Sequence, residues 1–136
     1  DMRFWSDDVT FDGREYTGTG DRLCIYVASD PIAANDQGEY YLPEGTYDAV
    51  ANFGYDKDPL PRTISGGKEY YNPTFPSGSW FHKIENGEYP DRICITGGTM
   101  TVTRTGNSYT LTFSFISDAK YNLTGSFEGT FKQYAQ

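Results

Sequence analysis

The last third of the chain alternates apolar and polar residues with a period of two. Three successive runs show this pattern, at 100–103, at 109–115, and on the face shared by Tyr121, Leu123, Phe127 and Phe131. Such alternation places the apolar side chains on one face of a strand, and short polar links join antiparallel neighbours. Gly125 and Gly129 fill same-face positions, where we expect a bend or a close neighbour. The pattern predicts a C-terminal meander over residues 99–131.

The earlier part of the chain predicts shorter strands separated by turns and loops. Asp12-Gly13 lies between two β-prone runs and is typical of a hairpin turn. Residues 22–28 are apolar on both alternating faces, which indicates a central strand. The segment 52–90 loses its periodicity. Further short strands are predicted at 39–42, 45–51, 69–71 and 79–84.

Composition supports an all-β fold. The chain of 136 residues contains 12 Tyr, 9 Phe and 2 Trp, and its 15 Gly and 7 Pro are typical of turns between strands. No segment repeats apolar residues at helical spacing. We therefore expect one domain, residues 1–136, built as an antiparallel β-sandwich or β-barrel of about eight or nine strands.

Charge and hydropathy exclude two classes of partner. The net charge is −8, with a pI near 4.4, so the chain repels nucleic-acid phosphates and anionic lipid surfaces. No apolar run reaches the roughly 18 residues that a spanning helix needs. We expect neither nucleic-acid binding nor membrane insertion by this domain, and we expect a monomer.

The two cysteines occupy similar settings. Cys24 follows Asp21-Arg22-Leu23, and Cys94 follows Asp91-Arg92-Ile93. If their strands are neighbours, the two sulfur atoms could form a disulfide, in agreement with an oxidising compartment. The alternative is that both are small buried apolar residues.

The chain shows no catalytic or metal-binding signature. His82 is the only histidine, which excludes sites built from several imidazoles and argues against a Ser-His-Asp triad. With 19 acidic residues a pair of nearby carboxylates is expected by chance, so their number is no evidence for a glycosidase. Neither Asp7-Asp8 nor Asp56-Lys57-Asp58 has the spacing of a calcium loop. We predict a protein that is not an enzyme and that has no cofactor and no metal.

One segment, residues 66–82, is rich in aromatic residues despite its irregular pattern. Aromatic rings with polar tips are common anchors in recognition surfaces. Sugar rings also stack on such faces. The alternative is that these rings close one open end of the fold as part of the core. The candidate ligand-binding residues are Tyr70, Tyr71, Phe75, Trp80 and Phe81.

Two stretches carry a family resemblance. Residues 42–47 read L-P-x-G-T-Y, and residues 95–113 resemble I-T-x-G-T-V-x-V-x-R-x-G-N-x-Y-x-I-x-F, with an I-x-G-x-Y-x-G-like element at 123–129. Together they resemble poorly characterised secreted lipoprotein domains of gut Bacteroidetes. The resemblance implies a sandwich or lipocalin-like barrel exposed at the bacterial cell surface or in the periplasm. It transfers no catalytic residue.

Three functions remain open at this point. The first is an extracytoplasmic binding module that holds a glycan or a surface protein through its aromatic loop surface. The second is a structural or adhesive unit of a surface lipoprotein or fibre. The third is a small barrel that binds a hydrophobic ligand.

Overall fold

The computed structural model of the chain describes residues 1–30, 32–70 and 75–132. Within these residues it contains β-strands and no helix, so the predicted all-β class is confirmed. No described segment is therefore a helix that could cross a membrane. The strands are β1 Met2–Trp5, β2 Val9–Phe11, β3 Tyr16–Gly18, β4 Gly20–Ile25, β5 Val27–Ala28, β6 Gly45–Val50, β7 Thr63–Ser65, β8 Lys68–Tyr70, β9 Phe75–Ser77, β10 Trp80–Ile84, β11 Arg92–Thr105, β12 Ser108–Ser117 and β13 Asn122–Gly129.

Nine of these strands form one mixed sheet. The order is β1-β4-β10-β11-β6-β7-β5, and β11 also pairs with β12, which pairs with β13. All neighbours run antiparallel except β6 and β7, which run parallel. Parallel neighbours need a connection long enough to carry the chain back, and residues 51–62 provide it.

The C-terminal meander forms as the alternation predicts. β11, β12 and β13 are consecutive antiparallel neighbours, and Leu111 and Phe115 on β12 are fully buried. Phe113 lies opposite Gly125 on β13, and a Cβ atom added at Gly125 would lie 2.7 Å from the Phe113 ring. The glycine therefore makes room for the ring, which confirms the predicted close approach at this position.

β11 bends the sheet and serves both of its halves. The first residues of this strand pair with β10, and the residues from Thr99 onward pair with β6. The register with β12 shifts between Ile95 and Gly97, which marks a β-bulge. Gly98 has φ +97°, and a Cβ there would collide with the backbone carbonyl of Ser114. The glycine therefore allows the strand to turn close against β12.

The sheet curls around its core without closing. The main core lies on the concave face and includes Ile25, Tyr47, Met100 and Leu111. The rings of Phe4 on β1 and Phe127 on β13 meet at 5.3 Å, although no described ladder pairs these two strands. The sheet is therefore not a closed barrel.

Two short hairpins add to the main sheet and raise the number of described strands above the expected eight or nine. The β2–β3 hairpin turns at the predicted Asp12-Gly13, where Asp12 Oδ1 accepts the backbone N–H groups of Arg14 and Glu15. Its apolar residues form a second small core with Ile84 of β10. This second core lies on the convex face of β10, opposite the main core. The other hairpin pairs β8 with β9.

Candidate functional site

An open trough occupies the concave side of the sheet between the edge strands β1 and β13. Its volume is about 1290 Å³. The floor is formed by half-buried apolar side chains that extend the main core toward solvent. These floor residues include Phe4, Leu23, Phe81, Phe113, Phe127 and Phe131. Concave surfaces with apolar floors are the usual places for ligands to bind.

Aromatic rings in the floor support one another by edge contacts. Phe131 follows β13 and touches Phe4, Tyr109 and Phe127, with ring centroids 5.7, 5.1 and 5.1 Å apart. The contacts with Phe4 and Tyr109 are edge-to-face and the contact with Phe127 is tilted by 39°, so each ring is held at a defined angle. The floor is therefore a fixed aromatic surface that joins both edges of the curled sheet.

The rim of the trough is polar and tightly bonded. Tyr41 Oη donates to Asn107 Oδ1 at 2.7 Å and accepts from Asn35 Nδ2 at 3.1 Å. The backbone N–H of Leu42 donates to Tyr109 Oη at 2.8 Å. These side-chain partners replace ladder bonds, so the strand predicted at 39–42 does not form.

Two tyrosine hydroxyls near this rim stay neutral. Burial is the main cause that raises the pKa of both Tyr47 and Tyr109 above the ordinary value of 10. Tyr47 Oη donates to the carbonyl of Pro43 at 2.7 Å, while Tyr109 Oη retains a proton to donate. Tyr40 adds a ring at the mouth that is 54 % exposed. Tyr47 is fully buried, so the rim offers the hydroxyl and amide groups of its other residues, together with the Glu39 carboxylate, beside aromatic faces.

Two of the predicted ligand-binding residues, Trp80 and Phe81, lie on opposite faces of β10. Successive side chains of a strand alternate, so Phe81 lines the trough while Trp80 faces the convex side. Trp80 is 4 % exposed, and its indole Nε1 donates to the Ser77 carbonyl at 2.7 Å. These two rings therefore do not share one binding surface.

The other three predicted ligand-binding residues are Tyr70, Tyr71 and Phe75. Tyr70 ends β8 and Phe75 begins β9, and they face each other in the ladder between these strands. Tyr71 lies outside the described residues. The proposal that this hairpin presents aromatic rings to a ligand stays a prediction.

The cysteines lie on strands that are not neighbours. Cys24 and Cys94 are both register partners of Trp80, so β10 runs between them. Two strand spacings separate their Cα atoms by about 9–10 Å, beyond the roughly 7 Å limit for a disulfide. The condition for the predicted disulfide is not met, and both thiols are free. Burial and the neighbouring Asp118 raise the pKa of Cys94 to about 11, so this thiol stays protonated.

A smaller pocket of about 480 Å³ lies on the convex side of the sheet. Arg3, Arg22, Trp80 and His82 are among its lining residues. His82 is buried, with 3 % of its surface exposed, as expected beside the apolar Trp80 and Phe81. It also faces the charged groups of Arg22 and Arg92. This arginine cluster is not among the sites predicted from the sequence. The repeated Asp-Arg-(Leu/Ile)-Cys pattern was the available signal, because both copies pair with the same strand.

No family model matches this chain, and no curated protein and no solved structure matches it either. Among the described residues, no three His, Cys, Asp or Glu side chains are grouped so as to hold a metal ion.

Proposed function

We propose that this chain is a non-catalytic, extracytoplasmic binding module that holds a glycan in the trough. The observation that supports it most is the combination of a fixed aromatic floor with a rim of hydroxyl, amide and carboxylate groups. Sugars present apolar C–H faces and hydroxyl groups side by side, so both parts of the trough have a counterpart on a glycan. The proposed location follows from the resemblance to secreted lipoprotein domains.

A glycan fits the trough better than a purely hydrophobic ligand. Hydrophobic ligands are held in enclosed barrels, where water is excluded from most of the ligand surface. This sheet is not a closed barrel, and hydroxyl, amide and carboxylate groups of Tyr41, Asn107 and Glu39 are at the mouth. A protein partner that inserts a polar loop would use the same groups, but a chain that binds only such a partner would bind no glycan on an array.

The proposal is tested by glycan-array binding followed by calorimetry with the glycans that bind. Two exposed tyrosines provide a matched pair of variants. Tyr40 lines the trough, whereas Tyr55 is 83 % exposed in the loop between β6 and β7 and does not line it. We expect Tyr40→Ala to weaken glycan binding about tenfold, because removing an aromatic side chain that anchors a ligand costs on the order of 1–2 kcal/mol. Tyr55→Ala should bind as the wild type does.

Other outcomes would contradict the proposal. Equal weakening by both variants would place the ligand outside the trough. Saturable binding of a fatty acid with no response to any glycan would instead indicate the hydrophobic-ligand function. Both variants remove an exposed ring, so loss of folding does not confuse the comparison.

A further inference from the structure

The convex side of the sheet gathers positive charge in an acidic chain. Arg22 on β4 and Arg92 on β11 are the two register partners of His82 on β10, so the three side chains form one cross-strand row. Arg3 on β1 lies in the adjacent row, opposite Cys24. Three of the six arginines thus share what we call the arginine face, defined by Arg3, Arg22, Trp80, His82 and Arg92, although the net charge is −8.

Arg22 is the one arginine of this face that has no carboxylate partner among the described residues. Arg3 pairs with Asp1 at 2.8 Å and Arg92 pairs with Glu69 at 2.6 Å. Among the described residues no acidic side chain forms an ion pair with Arg22. Arg22 is half-buried, and its Nε atom is buried, so it has lost part of its hydration without gaining an anionic partner.

Aromatic rings hold the Arg22 guanidinium in place. It lies 4.6 Å from the centre of the Tyr16 ring and 5.3 Å from that of Tyr89. Its Nη1 donates a long hydrogen bond of 3.5 Å to Tyr89 Oη. Cation–π contacts orient a guanidinium, but they leave its N–H groups available to an acceptor.

Three buried polar atoms in this region have no hydrogen-bond partner among the residues that the structure describes. They are Arg22 Nε, Tyr16 Oη and His82 Nδ1. Burial and the charges of Arg22 and Arg92 lower the pKa of His82 to about 4, so its ring is neutral and Nδ1 carries the proton in one of its two tautomers. Arg22 Nε always carries a proton, and the Tyr16 hydroxyl keeps its proton because burial raises the pKa of Tyr16. Arg3 is close enough to Tyr16 to oppose this rise, yet the hydroxyl makes no hydrogen bond of standard geometry. Unpartnered buried donors are rare in folded proteins.

The pocket beside these donors has room for a small group. It is about 480 Å³ in volume, and Arg22 and His82 both line it. Asp1 and Asp56 also line the pocket, but Asp1 is already bound by Arg3, and Asp56 Oδ1 accepts the backbone N–H of Asp58 at 3.0 Å. Among the described residues that line the pocket, Arg22 is the arginine without an ion pair, and the Asp56 carboxylate also has no cationic partner.

We propose that the arginine face is a binding site for an oxyanion, the sulfate, phosphate or carboxylate group of a small ligand, with Arg22 as its main charged partner. An oxyanion accepts several hydrogen bonds and pairs well with the guanidinium fork. It would give the unpartnered Arg22 Nε an acceptor and would lie beside His82, which lines the same pocket. Trp80 and His82 lie on the opposite face of β10 from Phe81, which lines the trough, whereas Arg3 and Arg22 line both cavities.

The test uses the only histidine of the chain as a reporter. The imidazole signals of His82 are followed by NMR while sodium sulfate, phosphate or acetate replaces sodium chloride at constant ionic strength. We expect a saturable shift with at least one anion. Tighter binding of sulfate or phosphate would indicate a tetrahedral ligand group, and tighter binding of acetate would indicate a planar carboxylate. A bound anion should also raise the pKa of His82. The groups that face His82 are Arg22 on β4, Arg92 on β11 and Tyr89 after β10, and Arg92 is itself paired with Glu69 of β8.

Matched variants locate the site. Arg22→Gln should weaken anion binding about tenfold, since hydrogen bonds to charged groups are the stronger ones. The control is Arg104→Gln, because Arg104 also stacks on a tyrosine, Tyr41, at 4.3 Å but lies at the other end of β11. Tyr16→Phe keeps the ring and removes the unpartnered hydroxyl, so it tests the site even if Arg22→Gln fails to fold.

Two results would overturn the proposal. One is the absence of any saturable shift of the His82 signals beyond the sodium chloride reference. The other is saturable binding that Arg22→Gln and Tyr16→Phe leave unchanged, or that Arg104→Gln weakens equally. Loss of glycan binding in the trough with retained anion binding would contradict the proposed function alone.

Discussion

The rings of Phe4 on edge strand β1 and Phe127 on edge strand β13 meet in the floor of the trough, with their centroids 5.3 Å apart. Their contact is made by side chains, because no described ladder joins β1 to β13. The curl of the sheet therefore depends on apolar packing at this point rather than on backbone hydrogen bonds. The shape of the trough depends on the same pair.

Removing one ring of this pair should open the fold. Phe127→Ala is expected to lower the free energy of unfolding by about 2–4 kcal/mol, because it removes ring contacts with Phe4 and Phe131. Urea unfolding measures the change. Tyr121→Ala is the control, since Tyr121 is 69 % exposed beside the same strand. Similar small effects of both substitutions would show that the edge strands are not held by this contact.

Two adjacent glycines on β11 should respond differently to alanine. Gly98 has φ +97°, and a Cβ there would strike the Ser114 carbonyl, whereas a Cβ at Gly97 meets nothing within 4 Å. We expect Gly98→Ala to cost about 2 kcal/mol or more and Gly97→Ala to stay within about 1 kcal/mol. Thermal unfolding of the two variants makes the comparison. An equal cost would contradict the bend assigned to Gly98.

Burial of His82 should make folding sensitive to mild acid. Its pKa is about 4 in the folded chain and 6.5 in a free histidine, so the unfolded chain binds more protons between these values. The free energy of unfolding should therefore fall as the pH drops from about 6.5 to about 4, by up to about 3 kcal/mol.

The His82→Gln variant isolates this effect, because it shares every carboxylate with the wild type. The difference in the free energy of unfolding between the two proteins should change over that pH range and be constant above it. Parallel pH profiles down to pH 4 would show that His82 is not held neutral.

The cysteines should be free and unequal in reactivity. Protein exported through an oxidising compartment and unfolded without reductant should take up an alkylating group at both Cys24 and Cys94. In the folded protein the half-buried Cys24 should react first, since burial and Asp118 raise the pKa of Cys94 to about 11. Intact-protein mass spectrometry measures both results. A chain that gains mass only after reduction would contradict the separation of the two strands by β10.

The elements with local patterns were predictable, and the contacts between distant segments were not. The alternation at 109–115 fixes which residues of β12 face the core, and Asp12-Gly13 identifies its hairpin from two residues. Nothing near Cys24 shows that β10 pairs beside it, because that strand comes more than fifty residues later. The same distance conceals the meeting of Arg22 and His82.

Part of the candidate site could have been read from the sequence. Trp80 and Phe81 are adjacent in a predicted strand, and alternation alone places them on opposite faces. The strand expected at 39–42 failed for another reason. Its backbone bonds to the Tyr109 hydroxyl instead of to a neighbouring strand, and only the folded chain brings that hydroxyl within reach.

The measurement that tests the central claim most directly is NMR shift mapping with a glycan selected by array. The account predicts that the largest backbone shifts fall on residues that line the trough, such as Tyr40, Phe81 and Phe127, on both edges of the sheet. Shifts confined to the β8–β9 hairpin and the convex side around Trp80 would contradict it and place the ligand at the aromatic segment instead.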